Sequence, residues 1–193
     1  MKSRARPLIL ASASPRRRAL LKTFGVPFRV VVPRVTERHS RGMSPARIVA
    51  ANARRKADAV ARSISRGVVI GADTIVVLGG RIFGKPADLA HARRMLARLS
   101  GKTHRVYTGV CVIDADRRHR WNDVVMSRVR MRRFSSSEIA RLCRSKRHLD
   151  KAGAYAVQDL DTLLIDTVHG SLSNVIGLPL HVVAKRLKQC GFV

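Results

Sequence analysis

With 193 residues, 46% of them hydrophobic and 26% charged, the chain can bury a proper core as one large domain or two intimate lobes, and it falls outside the disordered class. Aromatic residues make up only 4%, so that core has to come from Ala, Val, Leu and Ile. The 39 Lys+Arg against 12 Asp+Glu give a formal net charge of +27, a field that attracts polyanions. Yet the basic residues are scattered, with no basic tail, no aromatic RNA-stacking motif and no zinc-finger spacing, which argues against a dedicated nucleic-acid module.

In chain order, Leu8 to Ser12 is a short apolar run that reads as a buried strand. Ser14-Pro15 supplies an N-cap and a proline at the first helical position, predicting a helix to Phe24 with Gly25 as its stop. Phe28 to Val32 is a second strand. Ser44-Pro45 repeats the start signal, and Ile48, Val49, Ala53, Ala57 and Val60 keep helical spacing up to about Ile64. Val68 to Leu78 is the strongest strand, turned by Gly79-Gly80 into Arg81-Ile82-Phe83. Ala87 to Ser100 is helical. His104 to Ile113 and Trp121 to Met131 pair as strands around a polar loop, 114–119. Ser135 opens a helix over Ile139 to Cys143, Leu163 to Val168 is a strand, 170–179 reads as a polar loop, and Pro179 to Cys190 closes the chain as an amphipathic helix. Hairpins interrupt the alternation of strands and helices, so an α/β fold with a mixed sheet is expected, with a cleft between two lobes. Cys111, Cys143 and Cys190 stand far apart in no metal-binding pattern, and Leu8–Ala11 is too short for a signal or membrane segment. A cytoplasmic setting and no membrane partner follow as expectations.

Several segments carry chemistry. Ser14-Pro15-Arg16-Arg17-Arg18 places arginines where a strand hands over to a helix, so backbone N–H groups and guanidinium forks can meet an anion together. On residues alone it is equally well a solvated basic patch. Asp73 sits within an apolar strand, where a carboxylate is expensive to bury unless paired or bound to a metal, which makes it the leading catalytic residue by position. Glu37, one of only two glutamates, can reach the same place, although spacing alone favours a surface loop residue. Gly84-Lys85-Pro86 presents a lysine on extended backbone. Gln158 offers a donor and an acceptor for a base edge. His104 reads as structural, and no GxxxxGK[ST] phosphate loop is present.

Taken together and in order, Leu8-Ile9-Leu10-Ala11-Ser12-Ala13-Ser14-Pro15-Arg16-Arg17, Gly71-Ala72-Asp73-Thr74, Gly84-Lys85-Pro86, Leu99 to His104 with Tyr107-Thr108-Gly109, Asp150 to Tyr155 and Ser173 to Pro179 resemble the Maf family of nucleotide pyrophosphatases over nearly the whole chain. The resemblance implies a single Maf-type domain over 1–193, folded like inosine triphosphate pyrophosphatases, with a curved mixed sheet, flanking helices and two lobes around a cleft. It implies hydrolysis between the α and β phosphates of a nucleoside triphosphate with a divalent cation, Mg or Mn. Asp73 matches the family's catalytic acid; Ser14, Arg16, Arg17, Lys56 and Lys85 match substrate-binding positions; Glu37 and Asp73 match the metal side. Arg16, Thr74 and Gln158 match the branch acting on dTTP and UTP, whereas the 7-methyl-GTP branch carries Trp, Gln and Glu there. His169, Leu172 and Asp159 depart from the usual Glu, Tyr and Gly. The resemblance is compatible with a homodimer and implies no specific nucleic-acid partner. The alternatives are a purine or 7-methyl-GTP pyrophosphatase, and a basic nucleic-acid-binding or division-regulating protein.

Overall fold

The computed structural model describes residues 6–38, 42–144, 151–155 and 164–193. It is an α/β protein with strands β1 (Leu8–Ala11), β2 (Arg29–Val30), β3 (Val68–Leu78), β4 (Arg81–Phe83), β5 (Thr103–Asp114), β6 (His119–Met131) and β7 (Ile165–His169). Its α-helices are α1 (Pro15–Lys22), α2 (Pro45–Ala61), α3 (Leu89–Leu99), α4 (Ser136–Leu142), α5 (Leu172–Ile176) and α6 (Leu180–Gln189). The strands form one mixed sheet in the order β2-β1-β3-β5-β6-β7, with β4 paired to β3 off this path. The chain divides into two compact units, Met1–Asp73 with Thr108–Val125 and Gly177–Val193, and Thr74–Tyr107 with Met126–Ile176.

In the first unit β1 lies parallel to both β2 and β3, with Leu10 facing Val30 on one side and Ile70 on the other. A parallel strand inside a sheet is covered on both faces, which is why all four residues of β1 are buried and none alternates with a polar one. Both α1 and α2 begin as expected, with Ser14 and Ser44 capping through their side chains and prolines at the first turn. Ala53, Ala57 and Val60 of α2 pack with Ile9, Ala11, Val69 and Cys111. This contact is unusually close. A Cβ added to Gly71 would lie 2.4 Å from the Ala53 carbonyl oxygen and 2.7 Å from the Ala57 nitrogen, and one on Gly109 would lie 2.4 Å from the Val49 carbonyl oxygen. Two side-chain-free positions therefore let the backbone of α2 rest directly on the strands.

In the second unit Gly79 and Gly80, with φ of 54° and 77°, make the tight turn of the β3–β4 hairpin. Ala92, Met95, Leu96 and Leu99 of α3 share a core with Phe83, Val106, Val129, Met131 and Tyr155. Along β6, Ser127, Val129 and Met131 are buried while Arg128 and Arg130 are exposed, the period-two pattern of a strand with one wet face. A reciprocal capping box, Ser135 with Glu138, starts α4; Arg132 and the Ser135 N–H together hold the Glu138 carboxyl down at about 2.

The elements differ from expectation at their ends. The second strand shrinks from 28–32 to Arg29–Val30, α2 stops at Ala61, and the span read as a polar loop at 170–179 contains the five-residue helix α5.

Two outcomes follow. Gly71→Ala forces backbone against backbone and is expected to lower stability by about 2 kcal/mol or more, read by urea denaturation. His104 is 1% exposed, with Nε2 2.6 Å from the Tyr155 hydroxyl and no hydrogen-bond partner for Nδ1 among the described residues; burial pushes its imidazole down to about 4. Because the folded value lies below the unfolded one, the unfolded chain binds the extra proton. The stability of neutral His104 is thus full above pH 6.5 and is lost as pH falls towards 4, up to about 3 kcal/mol. Denaturation midpoints across that window should fall more steeply for the wild type than for His104→Gln.

Candidate active site

The site is built where β3 reaches Asp73. Thr74 apart, the strand on either side of it is apolar, and Asp73 itself is 2% exposed. Its charge is met from α2. Lys56 Nζ donates to Asp73 Oδ1 at 2.7 Å, to Glu37 Oε1 at 2.7 Å and to the Ala72 carbonyl at 3.3 Å. An ammonium has three N–H groups, and all three are taken. One turn earlier on the same face, Asn52 Nδ2 donates to Asp73 Oδ2 at 3.1 Å. Each Asp73 oxygen therefore accepts a hydrogen bond from a different residue of α2. The stem of Lys56 is buried, whereas the Glu37 side chain is 37% exposed, so the pair is open on the glutamate side only.

A second part of the site lies at the β1–α1 junction. Ser12 is buried and its Oγ accepts from the Ser14 N–H at 3.1 Å and from Arg17 Nη1 at 3.4 Å. Ser14 Oγ accepts the Arg17 N–H at 3.4 Å, and Arg17 Nε donates to the Gly177 carbonyl at 2.8 Å. These bonds hold the Arg17 side chain folded against its own helix start. Burial pushes the Arg17 guanidinium below its ordinary value, the Asp73 and Glu37 carboxylates push it back up, and Arg16 opposes them. Arg17 thus belongs to the same electrostatic cluster as the two acids. No acidic residue occupies the first turn of α1, so no carboxylate of the helix itself opposes an anion at its N-terminus.

The structure brings Ser14, Arg16, Arg17, Glu37, Lys56 and Asp73 into the first unit. Thr74, the next residue of β3, is half-buried and belongs to the second unit, as does the exposed Lys85. Gln158 and Asp159 lie outside the described residues. His169 is exposed on β7 and Leu172 is 50% exposed at the start of α5. Lys56, which the resemblance matches to a substrate-binding position, places its ammonium between Glu37 and Asp73. Two residues had gone unread, Ser12 and Asn52. A signal for Asn52 existed: it and Lys56 are polar residues four apart among the buried Val49, Ala53 and Ala57 of α2. Cysteine chemistry is absent from this part, since burial pushes the Cys111 thiol up to about 12 and Cys190 up to about 11. Among the described residues no helix is long and apolar enough to cross a membrane.

An α/β protein with a buried, doubly bonded carboxylate beside a helix-start cradle of serine and arginine is of the phosphate-handling class. Residues 7–190 match the family model of the Maf-like proteins. The chain is 44% identical over 186 residues to the dTTP/UTP pyrophosphatase of Desulforamulus reducens, covering 96% of this chain and 97% of that protein. It is 44% identical over 185 residues to the protein of the same name from Pelotomaculum thermopropionicum, covering 96% and 97%. The corresponding Bacillus anthracis protein is 42% identical over 184 residues, 95% of each chain. The chain belongs to the Maf family, and the family match spans both units.

Removing Lys56 leaves the buried Asp73 charge without its cation. Lys56→Met is expected to cost about 3 kcal/mol or more in urea denaturation. Adding Asp73→Asn should return much of that loss, because the uncompensated charge goes with it.

Proposed function

We propose that this chain hydrolyses nucleoside triphosphates, dTTP and UTP foremost, to the monophosphate and pyrophosphate. The observation that carries the reading is the Asp73 carboxylate: buried, held through both oxygens, and in one electrostatic cluster with Arg17 at the start of α1. Each carboxylate oxygen keeps a second lone pair beyond the bond that α2 supplies. Asp73 is thereby fixed in direction and free to accept a proton from water as the water oxygen bonds the α phosphorus. The bridging bond to the β phosphate breaks, and pyrophosphate leaves with that electron pair. Arg16 and Arg17 at the start of α1 take phosphate oxygens, and Lys85 matches a further phosphate-binding position through the resemblance. The names of the relatives support the pyrimidine substrates, as do Arg16, Thr74 and Gln158 through the resemblance.

The donor set fits a divalent cation. Two hard carboxylate oxygens, Asp73 Oδ1 and Glu37 Oε1, already converge on one positive group at 2.7 Å each, and Mg or Mn is commonly held by one or two carboxylates with phosphate and water making up the rest. Among the described residues no third His, Cys, Asp or Glu completes a cluster, so the substrate has to complete the shell. When bound there, the ion supplies charge neutralisation at the phosphates and acidifies a coordinated water. Glu37 and Asp73 would hold it, while Lys56 keeps the two carboxylates together.

The test is pyrophosphate release from a panel of dTTP, UTP, 7-methyl-GTP, ITP and the common triphosphates with Mg or Mn, wild type beside Asp73→Asn. Fast release from dTTP and UTP, reduced at least a thousandfold in the variant, is expected. Preference for 7-methyl-GTP or ITP overturns the base assignment; an active Asp73→Asn overturns the role of Asp73. No turnover of any triphosphate, with salt-sensitive binding of DNA or RNA, overturns the reaction itself.

A further inference from the structure

Between β2 and α2 the backbone of residues 31–38 has no helix or strand, yet it carries Glu37 to a bond of 2.7 Å with Lys56. What pins it is Asn52. The Asn52 side chain is 1% exposed and makes three hydrogen bonds to two separate stretches of chain. Oδ1 accepts the Arg38 N–H at 3.0 Å, Nδ2 donates to the Arg38 carbonyl at 3.2 Å, and its other hydrogen goes to Asp73 Oδ2 at 3.1 Å. The amide orientation is fixed independently at both ends. Only its oxygen can accept the Arg38 N–H, and only its nitrogen can face an ionised carboxylate. Asn52 thus grips the peptide next to Glu37 the way a neighbouring strand would, and touches Asp73 with what remains.

Arg38 is exposed, whereas the Asn52 amide that holds its backbone is buried among the apolar residues of α2. What the grip does achieve is geometric. Two carboxylates, Glu37 and Asp73, repel each other and share one ammonium. Lys56 attracts both but, with a long rotatable stem, fixes the direction of neither. Asn52 ties the backbone that carries one carboxylate directly to the side chain of the other.

We propose that Asn52 is a positioning residue that sets the separation and orientation of the Glu37 and Asp73 carboxylates for the hydrolytic step. This rests on the reading of Asp73 as the water-activating acid. Loss of the clamp should lower kcat without weakening nucleotide binding, because the phosphate-binding groups at the start of α1 do not touch Asn52. A misplacement of about 1 Å at reacting groups can cost on the order of a hundredfold in rate.

The experiment compares wild type, Asn52→Leu, Glu37→Gln and the double variant in steady-state pyrophosphate release, with hydrogen exchange of the Arg38 amide as a readout independent of turnover. Asn52→Leu is expected to lose tenfold or more in kcat with KM changed by less than about threefold. The Arg38 amide should exchange at least tenfold faster while β1 and β3 keep their protection, and the double variant should be no slower than Glu37→Gln alone. Asn52→Asp is the second variant: it keeps the acceptor for the Arg38 N–H and nearly the same shape, but turns an oxygen towards Asp73. It should lose at least as much kcat, and it serves in place of Asn52→Leu should that variant not fold. A folded variant of either kind with kcat within twofold of wild type overturns the proposal, as do losses that simply multiply in the double variant. These failures are distinct from failure of the functional reading, in which Asp73→Asn stays active or no triphosphate is hydrolysed.

Discussion

The negative charge of Asp73, set inside an apolar strand, is the constraint to which the first unit is arranged. An ionised carboxylate that deep must have its oxygens met, or it neutralises. The partners come from one helix, and that helix can supply them only because it lies against the sheet without side chains between the backbones at Gly71 and Gly109. Two residues before the acid, the strand gives up its side chain so that α2 can approach. One turn apart on α2, Asn52 and Lys56 then reach the two oxygens of the same carboxylate. Close packing and the chemistry of the site are one arrangement.

The order of elements was legible in the sequence because its signals are local: Ser-Pro starts for α1 and α2, the Gly79-Gly80 turn, the long apolar run of β3. Asp73 was legible for the same reason, as a charge where the pattern demands none. The rest depends on contacts between distant segments. The second strand is short, its pairing with β1 ending where the Val31 N–H meets the Leu10 carbonyl, and β branching alone does not say where such a pairing stops. Glu37 read as a surface loop residue, and half of that is right: its side chain is partly exposed, but its oxygen meets Lys56 19 positions away. The saturation of Lys56 was not legible, since a lysine beside a phosphate site and one between two carboxylates have the same sequence.

The excess of positive charge gives the few acids unusual weight. Asp58, Asp114, Asp116, Asp123, Asp166 and Glu138 each pair with at least one arginine. Asp114 and Asp116 hold Arg6, which also donates to the Cys190 carbonyl, so they tie both ends of the described chain to the end of β5. Asp88 caps α3 instead. Structural pairing with arginine is thus the common employment of an acid here. Asp73 and Glu37 share a lysine, Lys56, whose ammonium holds one oxygen of each.

That difference bears on chemistry. An arginine fork engages both oxygens of a carboxylate and blocks its lone pairs in one plane, which suits a fixed structural pair. A lysine takes a single point on each partner. At Asp73 the ammonium holds one oxygen and the Asn52 amide the other, so the group is fixed in direction by one bond to each oxygen. Arg17 is anchored at the start of α1 by its bonds to Ser12 and the Gly177 carbonyl, and burial lowers its pKa while the two carboxylates act to raise it. The cluster is therefore preorganised in its charges: the two carboxylates are compensated within the protein itself, by the ammonium of Lys56.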